Sequence, residues 1–147
     1  MIAVDTNLLV MAHRREFLEH HAAEAAVRQL AESPRTWAIP LHCLVEFAGV
    51  VTHPRRFLSP TSPAGAQMQI DLWRESPSLQ VLCDDPASLA MWQALVRAGA
   101  ISGPMVHDAR IAAVCLTSGV TELWTADRDY ARFPALRSRN PLVQPTG

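Results

Sequence analysis

The sequence predicts an α/β fold, with helices covering both faces of a central parallel sheet. Two observations carry this. Short apolar runs of strand length alternate four times with longer stretches of helical periodicity. Two carboxylates, Asp5 directly after the first run and Asp127 just past the last, stand beyond strand ends, where such sheets place their ligands.

Taken in order, Ile2 to Val4 is a short apolar run closed by Asp5, and Thr6-Asn7 then leads into a helix. From Glu16 to Glu32, Phe17, Ala23, Val27 and Leu30 recur at helical spacing, and Ser33-Pro34 stops the helix. Trp37 to Ile39 is a buried strand. Pro40 opens the next helix, Leu41 to Thr52, with Leu44, Val45, Ala48 and Val51 on one apolar side. Pro54, Pro60 and Pro63 mark a long surface connection rather than a domain linker, since too few residues flank it for two cores. A helix over Ala64 to Glu75 and a strand over Leu79 to Leu82 follow. Asp85-Pro86 then starts a helix, with Asp as N-cap and Pro in the first turn, that ends near Gly99. Pro104 starts the last helix and Gly119 closes it. Thr121 to Thr125 is the final strand, and Ala126 to Tyr130 a loop.

The 147 residues, 49% of them hydrophobic and 18% charged, suit one domain over residues 1–147 and exclude a disordered or tail-like chain. A net charge of −1 argues against a basic nucleic-acid coat or a polybasic membrane binder. All thirteen basic residues are Arg. Without Lys, P-loop phosphate binding, Schiff-base chemistry and receiver-type phosphoryl transfer are excluded. No signal-peptide pattern or run of bilayer-spanning length appears, and Cys43, Cys83 and Cys115 are too few and too scattered for a disulfide framework. They read as small core residues of a cytoplasmic protein.

Four acids are oddly placed: Asp5, Glu46, Asp108 and Asp127 all sit among apolar neighbours. Each has an ordinary reading: Asp5 as a cap for the following helix, Glu46 on a solvent-facing side, Asp108 as a cap or a partner of Arg110, Asp127 in an Asx-turn. Taken together they point to one acidic pocket, because buried carboxylates need a cation or hydrogen bonds. An oxygen-only donor set favours Mg²⁺ or Mn²⁺ over Zn²⁺.

The opening VDTNLLV, Glu46 in the helix after the second strand, His107-Asp108 at the start of a late helix and TADRDYARFP resemble a PIN domain. With the VTHPR segment at Val51 to Arg55 and Arg139 to Leu142, the resemblance covers almost the whole chain and extends to the VapC-type toxin ribonucleases. It implies a three-layer α/β/α sandwich and a metal-dependent endoribonuclease whose acidic quartet is Asp5, Glu46, Asp108 and Asp127. Direct metal binding is implied for Asp5 and Asp108, with Mg²⁺ or Mn²⁺ as cofactor. Asp129 is a second acid in the last motif and an alternative fourth member; Tyr130 stands where the family often has Phe. RNA as substrate, a VapB-type antitoxin as partner and a homodimer are implied as well. The alternative is a catalytically silent module of the same fold that binds RNA or protein.

The chemistry fits the residues. Phosphodiester hydrolysis needs an activated water and charge stabilisation at phosphorus, which an acid-held divalent ion provides. Thr6, Asn7 and Thr125 are placed to orient the carboxylates, with helix capping as the other use of Thr6 and Asn7. His42 and Glu46 lack an HExxH context, and His20-His21 reads as a solvated pair on a polar helix face. The Arg14-Arg15, Arg55-Arg56, Arg128/Arg132 and Arg137/Arg139 pairs are candidates for RNA phosphates, or plain surface pairs. Trp37, Trp73, Trp92 and Trp124 read as core or interface.

Overall fold

The computed structural model describes residues 1–143; residues 144–147, the end of the expected domain, lie outside the described part. Five strands, β1 (Ile2–Val4), β2 (Trp37–Pro40), β3 (Leu79–Leu82), β4 (Glu122–Trp124) and β5 (Ser138–Arg139), form one sheet in the order β3-β2-β1-β4-β5. Every pairing is parallel. Parallel neighbours need crossovers, supplied between β1 and β4 by α1 (Thr6–His13), α2 (His20–Glu32), α3 (Leu41–Val51), α4 (Pro63–Arg74), α5 (Pro86–Gly99) and α6 (Met105–Thr117), and between β4 and β5 by a loop. This is the α/β architecture expected.

The sheet order reverses at β1, which carries β2 on one side and β4 on the other. The ends of β1 and β4 therefore flank the crevice where such sheets bind ligands. Strands packed between helices are apolar on both faces, as in Ala3, Val4, Trp37, Ala38, Ile39 and Leu123, all fully buried. Phe47 of α3 lies edge-on to Trp73 of α4, ring centroids 4.8 Å apart, and joins the helices over the sheet.

Local signals account for several boundaries. Asp85 accepts from Ser88 N at 2.7 Å, and Ser88 Oγ accepts from Asp85 N at 2.8 Å, a reciprocal capping box at the start of α5. Gly119, at φ +75°, ends α6. Its N–H reaches the Leu116 carbonyl, and the N–H of Val120 reaches Cys115 O at 3.0 Å, the paired bonds of a Schellman turn. At the end of α5 the left-handed residue is Ala100, φ 47°, rather than Gly99.

Other expectations are corrected. Helix α2 begins at His20, not Glu16, because residues 14–19 form turns tied down by Arg14. That guanidinium pairs with Glu16, donates to Ser59 O at 2.8 Å and Thr61 Oγ1 at 3.0 Å, and lies 4.3 Å over the Phe57 ring. Arg14 is thus committed to structure rather than free for phosphate. Strand β5 is an addition, and the loop after β4 holds a short 3₁₀ turn over Arg128–Arg132. Val45 is 63% exposed, off the apolar side given to it, and Cys83 is exposed while Cys43 and Cys115 are buried. Among the described residues no helix is long and apolar enough to cross a membrane.

Replacing Asp85 removes the acceptor for the Ser88 N–H and leaves a helix-end donor unpaired. Asp85→Ala is expected to lower stability by about 1 kcal/mol, read as a lower urea midpoint with unchanged slope.

Candidate active site

The Asp5 carboxylate is where the site is built. Asp5 follows β1, caps α1 and is only 5% exposed. Oδ1 accepts from Thr6 N at 2.8 Å; Oδ2 accepts from Asn7 Nδ2 at 2.9 Å and Thr125 Oγ1 at 2.7 Å. A hydroxyl has one proton and two lone pairs. The Thr125 hydroxyl spends its proton on Asp5 and accepts from Asn7 Nδ2 and Asp127 N, both at 3.0 Å. Asn7 Oδ1 accepts from Ala126 N at 3.0 Å, which fixes the amide's orientation. Asn7 and Thr125 thus bolt the end of β1 to the end of β4, and Thr6 adds its amide to the Asp5 carboxylate. Beneath the carboxylate lie the Cys43 thiol, 3.7 Å from Oδ1, and the Tyr130 hydroxyl, 3.5 Å from it.

The other acids converge from different elements. Asp5, Glu46 of α3, Asp108 in the first turn of α6 and Asp127 after β4 line one cleft of about 410 Å³. Glu46 is exposed on its helix, yet its Oε2 accepts from Thr6 Oγ1 at 2.7 Å. Asp127 Oδ1 accepts from Asp129 N at 2.8 Å, the Asx-turn expected, while its chain also faces the cleft. Asp129 is exposed and outside the lining. Asp108 does not pair with Arg110: that guanidinium donates to Asp84, at 2.8 Å through Nε, and to His42 Nδ1 at 3.0 Å. Accepting from a cation, and half-buried, His42 is held below its ordinary pKa by burial and then by Arg110.

The electrostatics follow from this clustering. Burial first, then Asp127, Asp5, Glu46 and Asp129, push the Asp108 carboxyl up to about 6. Burial also raises Asp5, with Glu46 and Asp127 adding to it against the hydrogen bonds that favour the anion. Among the described residues none of the four lining acids makes an ion pair. Nor do any three of their carboxylates close to within 4.8 Å of one another. An all-oxygen, anionic, partly desolvated donor set is what a hard dication such as Mg²⁺ or Mn²⁺ fits.

The opposite wall escaped the sequence analysis. Val10, Met11, Phe17, Val50 and Phe57 make half of the cleft apolar, and Arg56 lines it as well. Of the Arg pairs, Arg55-Arg56 is thus the one that reaches the cleft, through Arg56; Arg137 and Arg139 lie against Glu122. Val10 and Met11 of α1 and Val50 of α3 form part of this wall, and loops 14–19 and 53–62 complete it by packing together, Phe17 edge-on to Phe57 at 6.3 Å, a long-range contact with no local sequence signal.

Known proteins share this sequence pattern and this fold. The pattern of the family described as PIN domain matches residues 2–136. Ribonuclease VapC43 of Mycobacterium tuberculosis is 34% identical over 142 residues, 97% of this chain and 96% of the relative. Among solved structures, VapBC2 from Rickettsia felis bound to a promoter DNA fragment superposes with a TM-score of 0.66 at 21% identity, covering 95% of this chain and 98% of the other. Mycobacterium tuberculosis VapC20, described as a Sarcin-Ricin loop cleaving toxin, gives 0.65 at 20%, covering 89% and 93%.

A carboxyl raised in the folded state binds more protons there than in the unfolded chain between the two pKa values. Stability in EDTA should therefore fall as pH rises from about 4 to about 6. Discounted for solvent screening, the Asp108 share is on the order of 1 kcal/mol. Urea unfolding across that range should show the decline, and Asp108→Asn should flatten it.

Proposed function

The chain belongs to the PIN domain family, and from that membership we infer that it is a ribonuclease of the VapC type, the toxin half of a toxin–antitoxin pair. The observation that carries the reading is the convergence of Asp5, Glu46, Asp108 and Asp127 on one cleft without an ion pair among them. A binding module has no need of four acids gathered in one place. RNA as substrate is supported by the relative named a ribonuclease over nearly the full length of both chains. A VapB-type antitoxin as partner is supported by the similarity to a VapBC structure; the homodimer rests on the family resemblance.

In this reading Asp5 and Asp108 hold Mg²⁺ or Mn²⁺, with Glu46 and Asp127 completing the anionic shell and Asp129 outside it. The ion supplies Lewis-acid polarisation of a phosphoryl oxygen and acidifies water. The protein's own contribution is positional. Thr125, Asn7 and the Thr6 amide hold Asp5 in one orientation, and the Thr6 hydroxyl holds Glu46. Arg56 brings a positive charge to the cleft that suits an RNA phosphate, and the apolar wall from Met11 to Phe57 offers ribose and base a surface.

Asp5→Asn and Asp108→Asn should each lower RNA cleavage by about a thousandfold or more, equivalent to the several kcal/mol of charge stabilisation a metal provides. Circular dichroism should show both variants folded. Full activity in either folded variant would remove that residue from the site.

The ion should also stabilise the fold, since it binds the native cleft alone. Linkage gives about 2.7 kcal/mol at a hundredfold excess over Kd. Thermal melts along a Mn²⁺ series should rise for the wild type and stay nearly flat for Asp108→Asn, and EDTA should abolish cleavage reversibly. Equal shifts in both proteins would locate the ion elsewhere.

A further inference from the structure

We propose that His20, His21 and Glu24 form a second metal site, separate from the acidic cleft, that takes a nitrogen-preferring dication of the Zn²⁺ class. These are the residues, among those described, whose ligand atoms all lie within 4.8 Å of one another. They occupy the first turns of α2 at positions i, i+1 and i+4, so His20 and Glu24 share a helix face and His21 stands beside them. The two imidazole rings are tilted at 57°, with centroids 5.2 Å apart.

His20 is not the solvated residue its polar neighbourhood suggests. It is 9% exposed, and its Nδ1 lies 2.9 Å from the Met11 carbonyl. A carbonyl only accepts, so Nδ1 carries the proton and Nε2 presents its lone pair. A ring nitrogen anchored on a backbone carbonyl is the support that metal-binding histidines use to fix tautomer and orientation. Nε2 belongs to a residue lining a concave pocket with His21, Glu24, Ala12, His13, Arg15 and Gln69. His13 is already committed, its two ring nitrogens facing Gln69 Oε1 at 3.1 Å and Thr61 Oγ1 at 2.9 Å. Glu24 pairs with Arg28 one turn on, but that pair is exposed and of little worth, so an ion competes for the carboxylate. Arg15 and the helix N-terminus oppose a cation, and the carboxylate offsets them.

Two imidazoles and one carboxylate suit Zn²⁺, Co²⁺, Ni²⁺ or Cu²⁺ and not Mg²⁺, whereas the all-oxygen cleft has the reverse preference. The sites therefore sort ions. They also share a wall: His20 N donates to Phe17 O at 3.1 Å and its ring to Met11 O, and both Phe17 and Met11 line the acidic cleft. An ion on His20 fastens that wall.

The test is calorimetric titration of tag-free protein with Zn²⁺ near neutral pH in a millimolar Mg²⁺ background, which occupies the acidic cleft. Wild type and Asp108→Asn should each bind one Zn²⁺ per chain. His21→Ala and Glu24→Gln, at exposed positions that leave the fold intact, should bind about ten- to a hundredfold more weakly or not at all. With Cu²⁺ as probe, the electron paramagnetic resonance spectrum should show two coupled nitrogens, falling to one in His21→Ala. Absence of Zn²⁺ binding, undiminished binding by both His21→Ala and Glu24→Gln, or loss of binding in Asp108→Asn would overturn the proposal.

Discussion

Burial of one carboxylate at the end of the central strand organises the rest of the molecule. Asp5 lies at the reversal of the sheet, almost out of contact with water, and carries hydrogen-bond donors but no basic partner among the described residues. Burying a lone carboxylate is costly, and three strong donors offset part of that cost. Those donors come from the first turn of α1 and the end of β4, so satisfying the charge also ties together two strands that the sequence keeps far apart. The hydrogen bonds hold the anion still, while burial first, and then Glu46 and Asp127, press it toward protonation. Hydrogen bonding and burial are thus set against each other in one group.

That opposition explains the shape of the surroundings. The side chains nearest Asp5 are compact or fixed: a thiol, a threonine hydroxyl and a tyrosine ring held by the core. The acids that face the cleft are less buried, and each is held from its own element: Glu46 by Thr6, Asp127 by its turn, Asp108 by its place in the first turn of α6. Arg110, which proximity in sequence offers as a neutraliser, is drawn away to Asp84 and His42. The fold keeps its cations out of the acidic group, apart from Arg56 at the wall.

Much of this was legible from residue order. The alternation of strand and helix, the caps at Asp85 and Gly119, and the isolation of four acids among apolar neighbours are local patterns, and local patterns survive in a single sequence. What escaped depends on partners far along the chain. Ser138-Arg139 has no apolar run to mark it and is a strand because Leu123 and Trp124 lie beside it. Residues 16–19 fit the helical period but turn instead, because Arg14 reaches across to the loop near Thr61. His20 looks polar among charged neighbours, and only the position of Met11 shows that it is buried. The apolar wall of the cleft is of the same kind.

The hydrogen bond from Thr125 to Asp5 joins residues 120 positions apart. A ribosome finishes β1 first, yet that strand acquires its neighbour β4 only after β2, β3 and helices α1 to α6 have been made. Long-range pairing of this kind is slow, because the loop must close before any contact rewards it. A nascent or clipped chain ending before Leu123 holds Asp5, Glu46 and Asp108 but lacks Asp127 and the Thr125 hydroxyl that fixes Asp5. The acidic cleft is therefore complete only once β4 and Asp127 have been made, and a chain cut short of them lacks one of its four acids.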